Sequence, residues 1–283
     1  MAPSPDEDEV GRKLARLRRR LRELGSVLVC YSGGVDSAFV LAVAHAELGA
    51  RAVGMTAVSP SLAPSEKEGA IAVAARLGAE HRLVDTAEID DPGYVRNDVD
   101  RCFYCKSELY RVAARKQQEW QLAAVVNGTN VDDLGDYRPG LRAAADAGAL
   151  APLVECGFGK SDVREAARRI GLGVWDKPAA ACLSSRIPFG TSVTRERLDQ
   201  IGRLEAELRA LGFRRVRARY HGELARIEVD LEELARATEP EVRERIVAAG
   251  HACGFRFVTL DLGGYRQGSH NEVLAGRSLR VLG

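Results

Sequence analysis

Ser26-Val-Leu-Val-Cys-Tyr-Ser-Gly-Gly-Val-Asp-Ser37 decides the fold. Its first half is a short apolar run of the buried-strand type. Its second half places two adjacent glycines between serines, with an aspartate near the end, and an apolar helical run from Ala38 to Leu48 follows directly. A strand that feeds a helix through a glycine turn opens a βαβ unit. Working outward, Arg51 to Val58 reads as a strand, Ser65 to Leu77 as a helix and His81 to Val84 as a strand. Ser107 to Glu119 reads as a helix and Ala123 to Asn127 as a strand. This alternation predicts a doubly wound parallel α/β sheet with right-handed crossovers. Upstream, Val10 to Leu24 reads as an arginine-rich amphipathic helix, with Leu14, Leu17, Leu21 and Leu24 on its packing face and the basic face exposed.

Past Pro188 the rhythm changes. Thr194 to Leu211 reads as a helix capped by Thr194. Arg215 to Tyr220 and Leu224 to Val229 read as a hairpin around His221-Gly-Glu223, Pro240 to Cys253 as a helix and Phe255 to Leu260 as a strand. The expected organisation is an α/β domain over residues 1–188 and a smaller α+β domain over 189–283.

The 283 residues carry a formal net charge of +1 and are 46% apolar. A sizeable core is therefore available, and the chain as a whole is not built to bind a polyanion. The first ten residues are acidic, without an apolar h-region, and no apolar run approaches membrane-spanning length. The expected address is the cytosol, where thiols stay reduced, so the six cysteines do not read as a disulfide framework.

The loop Ser32–Ser37 has the chemistry of a phosphate cradle. Glycines let backbone N–H groups curl around phosphate oxygens, and the helix that starts there adds free amides and its positive end. Ser32 and Ser37 supply hydroxyl donors, Gly33 and Gly34 the backbone freedom. Asp36 repels a bare anion and so reads as a Mg²⁺ holder beside the phosphates. The Walker pattern GxxxxGK[ST] is absent. The stretch SGGVDS resembles the PP-loop of the ATP pyrophosphatases, which implies ATP cleavage between the α and β phosphates with an adenylated substrate. Thr56, at the end of the second strand, falls where such a fold presents the adenine side, and Gly128 falls close to where the adenylate forms.

Among the cysteines, Cys102 and Cys105 form a C-x-x-C pair just before a helix, and Cys182 lies on a loop after Pro178. From spacing alone the pair reads as a redox couple, half a zinc site, or chance. Three thiolates also hold a [4Fe–4S] cluster with one iron open to sulfide. Cys30 and Cys253 read as small core residues and Cys156 as structural.

From Cys30 to Gly268 the chain resembles the LarE family of ATP-dependent sulfur transferases. The matching stretches are Tyr31-SGGVDS-Ser37, Asp136-Tyr-Arg-Pro-Gly140, Cys182-Leu-Ser-Ser-Arg-Ile-Pro-Phe-Gly190, Val216-Arg-Ala-Arg-Tyr-His221 and Leu260-Asp-Leu-Gly-Gly-Tyr-Arg-Gln-Gly268. The resemblance implies adenylation and thiolation of pyridinium-3,5-biscarboxylic acid mononucleotide in nickel-pincer nucleotide cofactor biosynthesis. It also implies a homo-oligomer that takes sulfide or another sulfur donor. Family members that sacrifice a cysteine carry it three residues before the first serine, where this chain has Ala181. Cys182 stands one residue later and Cys102 and Cys105 are added, so the resemblance implies the three-cysteine iron–sulfur type. It further implies Arg217, Arg219 and Arg266 as ligands of the substrate phosphate. Arg186, beside Cys182, is a further candidate substrate contact. Guanidinium forks suit phosphate and carboxylate.

Asp132, Asp133 and Asp136 read as Mg²⁺ or positioning groups, or as a solvated acidic loop. Glu228 and Asp261 are possible metal ligands. Three rival readings share the motifs: a tRNA-thiolating PP-loop enzyme using the basic N-terminal helix, an amide-forming PP-loop ligase, and a nucleotide-binding protein without turnover.

Overall fold

A computed structural model describes residues 8–135, 139–178 and 180–266. They form two units, residues 8–94 with 99–180 and residues 95–98 with 181–266.

The first unit runs α1 (Glu9–Leu24), β1 (Val27–Cys30), α2 (Val35–Leu48), β2 (Ala52–Val58), α3 (Pro64–Leu77) and β3 (Glu80–Asp85). The one-turn α4 (Pro92–Val95) lies at the border, followed by α5 (Arg101–Glu119), β4 (Ala124–Val126), α6 (Pro139–Asp146), α7 (Pro152–Glu155) and α8 (Lys160–Arg169). The strands make one parallel sheet in the order β3-β2-β1-β4, with Val27 opposite both Ala52 and Ala124.

The central strand is apolar throughout because both of its faces are covered. Val27 and Val29 pack with Leu17, Leu21, Phe39 and Val163. Leu28, pointing the other way, packs with Met55, Tyr110, Ala113 and Ala143. Helices α1, α2, α3 and α8 thus cover one face, and α5 and α6 the other. Leu14, Leu17 and Leu21 are buried as the helical period requires, and Leu24 is partly buried.

The basic face of α1 is engaged within the unit. Lys13 pairs with Asp162 at 2.6 Å, Arg20 with Glu155 at 2.6 Å, Arg22 with Glu47, and Arg16 donates to the Cys156 carbonyl at 2.9 Å. These cations orient α1 against α2, α7 and α8, while Arg12, Arg16, Arg18, Arg19 and Arg22 stay exposed as the sequence predicts for the basic face.

The second unit holds α9 (Arg195–Ala210), β5 (Val216–His221), β6 (Leu224–Val229), α10 (Leu234–Thr238), α11 (Pro240–Ala252) and β7 (Phe257–Leu260). Thr194 caps α9 by accepting from the Arg197 amide at 3.3 Å. β5 and β6 form the expected antiparallel hairpin, with Gly222 at φ +69° in a two-residue turn. β7 adds to β6 in parallel, which requires the α10–α11 crossover between them.

The second unit begins at Ala181, earlier than the expected border at 188. Leu183 and Ile187 are buried, Arg186 pairs with Glu205 of α9, and the buried Asn97 amide donates to the carbonyls of Ile187, Pro188 and Thr191 at 3.3, 2.8 and 2.9 Å. No helix among the described residues is long and apolar enough to cross a membrane.

Candidate active site

In the first unit, neighbouring β1 and β4 are reached by crossovers in opposite directions, so the crevice at their C-terminal ends is the switch point of the sheet. The loops Ser32–Gly34 and 127–130 leave the sheet there. Gly34 is the N-cap of α2 in an extended conformation, and no side chain caps the helix, so its first amides remain available to an anion. Gly33 has φ +75°, and a β-carbon there would stand 2.9 Å from the Ala70 β-carbon of α3. Both constraints demand glycine.

The serines fix the loop from inside. The Ser37 hydroxyl donates to the Gly34 carbonyl at 3.2 Å and accepts from the Ser32 amide at 3.1 Å, and its oxygen lies 3.1 Å from Ser32 Oγ. Gly128 lets the loop after β4 reach the first turn of α2. A β-carbon at 128 would meet Ser37 N at 2.6 Å and the Asp36 carbonyl carbon at 2.9 Å.

Asp36 points toward that second loop, and its Oδ1 accepts from Asn130 Nδ2 at 3.3 Å. Asn130 is fully buried, and its own Oδ1 has no hydrogen-bond partner among the described residues. The Asn130 amide N–H donates to Asp133 Oδ2 at 3.3 Å, and Lys160 Nζ lies 3.2 Å from Asp133 Oδ1. Burial holds the Asp36 carboxyl above its usual range, and the charge of Asp133 adds to the shift. The Asn130 amide, Lys160 and Arg164 oppose it. Asp36, Asp133 and the Asn130 side-chain carbonyl are hard oxygen donors of the kind a divalent cation such as Mg²⁺ takes, and the mutual repulsion of the two carboxylates suits a cation there.

Thr56 is buried at the end of β2. Its hydroxyl donates to the Tyr31 carbonyl at 2.8 Å, so the 2.8 Å contact with His81 must be His81 Nε2–H donating to Thr56 Oγ1. The side chain expected on the adenine side thus ties the ends of β1, β2 and β3 together.

In the second unit, Arg186 and Arg219 share one arrangement. Arg186 forms a two-pronged pair with Glu205 at 2.7 and 3.1 Å and also donates to the carbonyls of Ala181 and Cys182 at 2.8 and 3.1 Å. Arg219 forms a two-pronged pair with Glu228 at 2.9 and 3.0 Å and donates to the Ser185 carbonyl at 2.8 Å. Both guanidinium groups therefore fasten the Cys182 loop, Arg186 from the α9 side and Arg219 from β5.

Arg217 differs. It is buried, stacks 4.4 Å over the Tyr265 ring and donates to Tyr265 OH at 2.9 Å and the Arg266 carbonyl at 3.3 Å. It has no carboxylate partner among the described residues. Burial pulls it below its usual range, Tyr265 opposes that pull, and the charges of Arg186 and Arg219 add to it. The Arg266 guanidinium lies over Gly263, where a β-carbon would meet it at 2.1 Å. Of the possible metal ligands, Glu228 is paired with Arg219 and Arg226, and Asp261 lies 3.4 Å from Arg226. Burial lowers the His221 imidazole, and the charges of Arg226 and Arg219 deepen the shift.

The asparagine synthase family model, a model of PP-loop ATP pyrophosphatases, matches residues 14–103. An uncharacterized Synechocystis protein is 45% identical over 93% of this chain and 98% of its own length. An uncharacterized protein of Methanocaldococcus jannaschii is 27% identical over 90% of this chain and 98% of its own length. The pyridinium-3,5-bisthiocarboxylic acid mononucleotide synthase of Lactiplantibacillus plantarum is 37% identical over 94% of this chain and 96% of its own length. The chain belongs to the LarE family of PP-loop ATP-utilising proteins.

In this LarE-family chain the C-x-x-C pair sits inside α5, whose helix starts at Arg101, six residues earlier than the sequence predicts. One helical turn places Cys102 and Cys105 on the same side of the helix. Cys102 and Cys182 are exposed and Cys105 is half-buried, whereas Cys156 and Cys253 are buried with their thiols pushed up by desolvation. Protein atoms around the Cys30 thiol push it up to about 12. Cys102 and Cys105 belong to the first unit and Cys182 to the second. No group of three or more His, Cys, Asp or Glu side chains among the described residues is close enough to hold a metal. Asp136 lies outside the described residues, as do residues 267 and 268 of the last matching stretch.

Sequence reasoning missed Asn130, Lys160, Glu205 and Tyr265. Only Glu205 left a signal, as an acid on the apolar stripe Leu198, Ile201 and Leu208 of α9.

Proposed function

We propose that this protein is an ATP-dependent sulfur transferase that thiolates pyridinium-3,5-biscarboxylic acid mononucleotide in nickel-pincer nucleotide cofactor biosynthesis. The observation that carries the reading is Arg217, a buried cation without a carboxylate partner among the described residues, in the same unit as the fastened Cys182 loop. A buried charge requires a counter-charge, and the substrate's phosphate supplies one. The identity with the bisthiocarboxylic acid mononucleotide synthase along nearly its whole length supports the same substrate.

The chemistry has two displacements. A substrate carboxylate oxygen attacks the α-phosphorus of ATP, and pyrophosphate leaves with the electron pair of the broken P–O bond. Hydrosulfide then attacks the acyl carbon, AMP leaves with the electron pair of the C–O bond, and the sulfhydryl proton passes to solvent. The amides of Gly33 and of the first turn of α2 bind the leaving pyrophosphate, and the serine hydroxyls, bonded to the Ser32 and Gly34 amides, orient that loop. Asp36, Asp133 and Asn130 would hold Mg²⁺, which supplies neutralisation of the phosphate charge. Arg217 and Arg266 hold the substrate phosphate, while Arg186 and Arg219 hold the Cys182 loop. The proposal extends to Cys102, Cys105 and Cys182 as ligands of a [4Fe–4S] cluster, supported by the exposure of Cys102 and Cys182 and the half-burial of Cys105, where Cys156 and Cys253 are buried. The cluster would supply, at an open iron, a binding place for sulfide.

The test is turnover under anaerobic conditions with ATP, Mg²⁺, sulfide and the pyridinium nucleotide. The expected result is pyrophosphate release that depends on the nucleotide, with exchange of oxygen for sulfur in the product by mass spectrometry. Pyrophosphate release driven by tRNA with no such exchange would replace this reading with RNA thiolation, and amide formation from ammonia would replace it with a ligase. A Cys182→Ala protein that keeps a full four-iron complement would overturn the cluster part alone.

A further inference from the structure

Gly33 and Gly34 share a peptide group whose direction decides what the nucleotide loop presents. A peptide group is planar, so its carbonyl and its N–H point opposite ways and turn together. Glycine on both sides leaves no β-carbon to oppose that turn. The Gly34 N–H lies 3.4 Å from Ser32 Oγ, which contacts Ser37 Oγ at 3.1 Å on the inner side of the loop. The Gly33 carbonyl faces the other way and accepts from Lys177 Nζ at 3.2 Å. Reversal of this peptide would carry the Gly33 oxygen to the inner side, where it repels a phosphate.

Lys177 is built to reach that carbonyl. Leu172 and Val174 just before it are buried in the core. Its amide donates to the Val174 carbonyl at 3.0 Å, and Arg164 donates to the carbonyls of Trp175 and Lys177, both at 3.0 Å. Its ammonium also donates to Glu66 Oε2 at 2.8 Å, in the first turn of α3. One turn further along that helix, Gly69 lies under the ammonium, which stands 3.8 Å from where a β-carbon would be, and Ala70 is the residue against which Gly33 packs. Positions 66, 69 and 70 share one helical face, so α3 seats the lysine and the loop together. Glu66 supplies the counter-charge, so Lys177 acts on the loop through the direction of a hydrogen bond and not as a free charge.

We propose that Lys177 is a positioning residue of the nucleotide loop, the donor that keeps the Gly33 carbonyl turned toward α3 and so keeps the phosphate-accepting form of the loop populated. Without it the Gly33–Gly34 peptide samples both directions, and a ligand that binds one of them meets a smaller competent fraction. Once a phosphate is bound, its own contacts with the loop amides hold the peptide. The effect of Lys177 therefore falls on the free protein, which separates it from a residue that touches the phosphate.

This role rests on the reading of Ser32–Ser37 as the nucleotide loop, and two measurements on the full chain separate them. Calorimetric titrations with Mg²⁺ present use ATP and pyrophosphate as probes, on the natural protein, Lys177→Met and Lys177→Arg. Hydrogen exchange read by mass spectrometry follows the amides of residues 31–37 with and without ATP. Lys177→Met is expected to bind both probes about ten- to a hundredfold more weakly, since a charge-assisted hydrogen bond no longer favours one form of the loop. Its loop amides are expected to exchange faster than the natural ones in the free protein and at the natural rate once saturated with ATP. Lys177→Arg is expected to recover most of both losses. Lys177→Gln, polar but too short to reach the carbonyl, gives the same readouts should Lys177→Met not fold. Natural affinity in the variant would overturn the proposal, whatever its melting temperature. So would weak binding with natural exchange in the free protein, the signature of a lysine that touches the phosphate. A natural protein that binds neither probe would overturn the nucleotide-loop reading and this role with it.

Discussion

Replacing Gly128 by alanine tests whether the loop after β4 sets the geometry of the nucleotide loop. The added β-carbon would stand 2.6 Å from Ser37 N, whereas ordinary contact starts at 3.4 Å, so something must move by about 0.8 Å. The obstructing atoms are backbone of the first turn of α2, with no flexible side chain to give way. Overpacking of this kind costs about 1–3 kcal/mol, which lowers the melting temperature by about 2–12 °C for a domain of this size. Function is expected to suffer more. The Ser37 hydroxyl bonds at 3.1–3.2 Å, and a shift of that size breaks its links to Ser32 and Gly34. A misplacement near 1 Å costs about a hundredfold in rate, so kcat/KM for ATP in pyrophosphate release is expected to fall about that far. Gly135→Ala is the control, because its β-carbon meets nothing within 4 Å. A Gly128→Ala protein with natural ATP kinetics and melting temperature would refute the argument that this glycine exists for close approach.

Other residues give sharp tests. Arg217→Ala is expected to raise the KM for the phosphate-bearing substrate about tenfold or more while leaving ATP affinity unchanged, and an equal loss for both ligands would refute its role. Glu205→Ala strands the buried Arg186 and removes the acceptor of the Ala218 amide, bonded at 3.1 Å. It is expected to cost about 3–5 kcal/mol in chemical denaturation, whereas Glu232→Ala, on an exposed residue, stays near the natural value. Asp36 has a folded pKa raised above its ordinary 3.8 by burial and then by Asp133. Its protonated form therefore favours folding, and that contribution is lost as pH rises from about 3.8 through the folded value. Asp36→Asn is thus expected to melt higher than the natural protein at neutral pH without metal, while Mg²⁺-dependent turnover disappears. A lower melting temperature would show that the carboxylate is already satisfied within the fold.

How much was legible in advance depended on the range of the interaction. The β1–loop–α2 unit was readable because every part of it is local. An apolar run announces a strand covered on both faces, adjacent glycines announce a turn, and the leucine spacing of α1 announces its packing face. Thr194 as a cap and the Gly222 hairpin were readable for the same reason. The start of α5 was misplaced although Asp100 stands at its N-cap, because that side chain makes no capping hydrogen bond and helix ends are set by what packs on them. The exposed basic face of α1 was legible from the same spacing, and Arg12, Arg16, Arg18, Arg19 and Arg22 are exposed, but its ion-pair partners 25 to 149 residues away, such as Glu47 and Asp162, were not.

The sequence by itself determined the fold class and the position of the glycine loop between β1 and α2, because periodicity and turn chemistry are written in neighbouring residues. It also marked a set of arginines as candidate ligands without distinguishing their duties. Only tertiary structure decided that Arg186 and Arg219 are paired with Glu205 and Glu228 while Arg217 has no carboxylate partner among the described residues, and that Asn130 and Lys160 stand with Asp36 and Asp133. The physical reason is that charge pairing and desolvation depend on distance in space, and these partners come from separate elements of the chain.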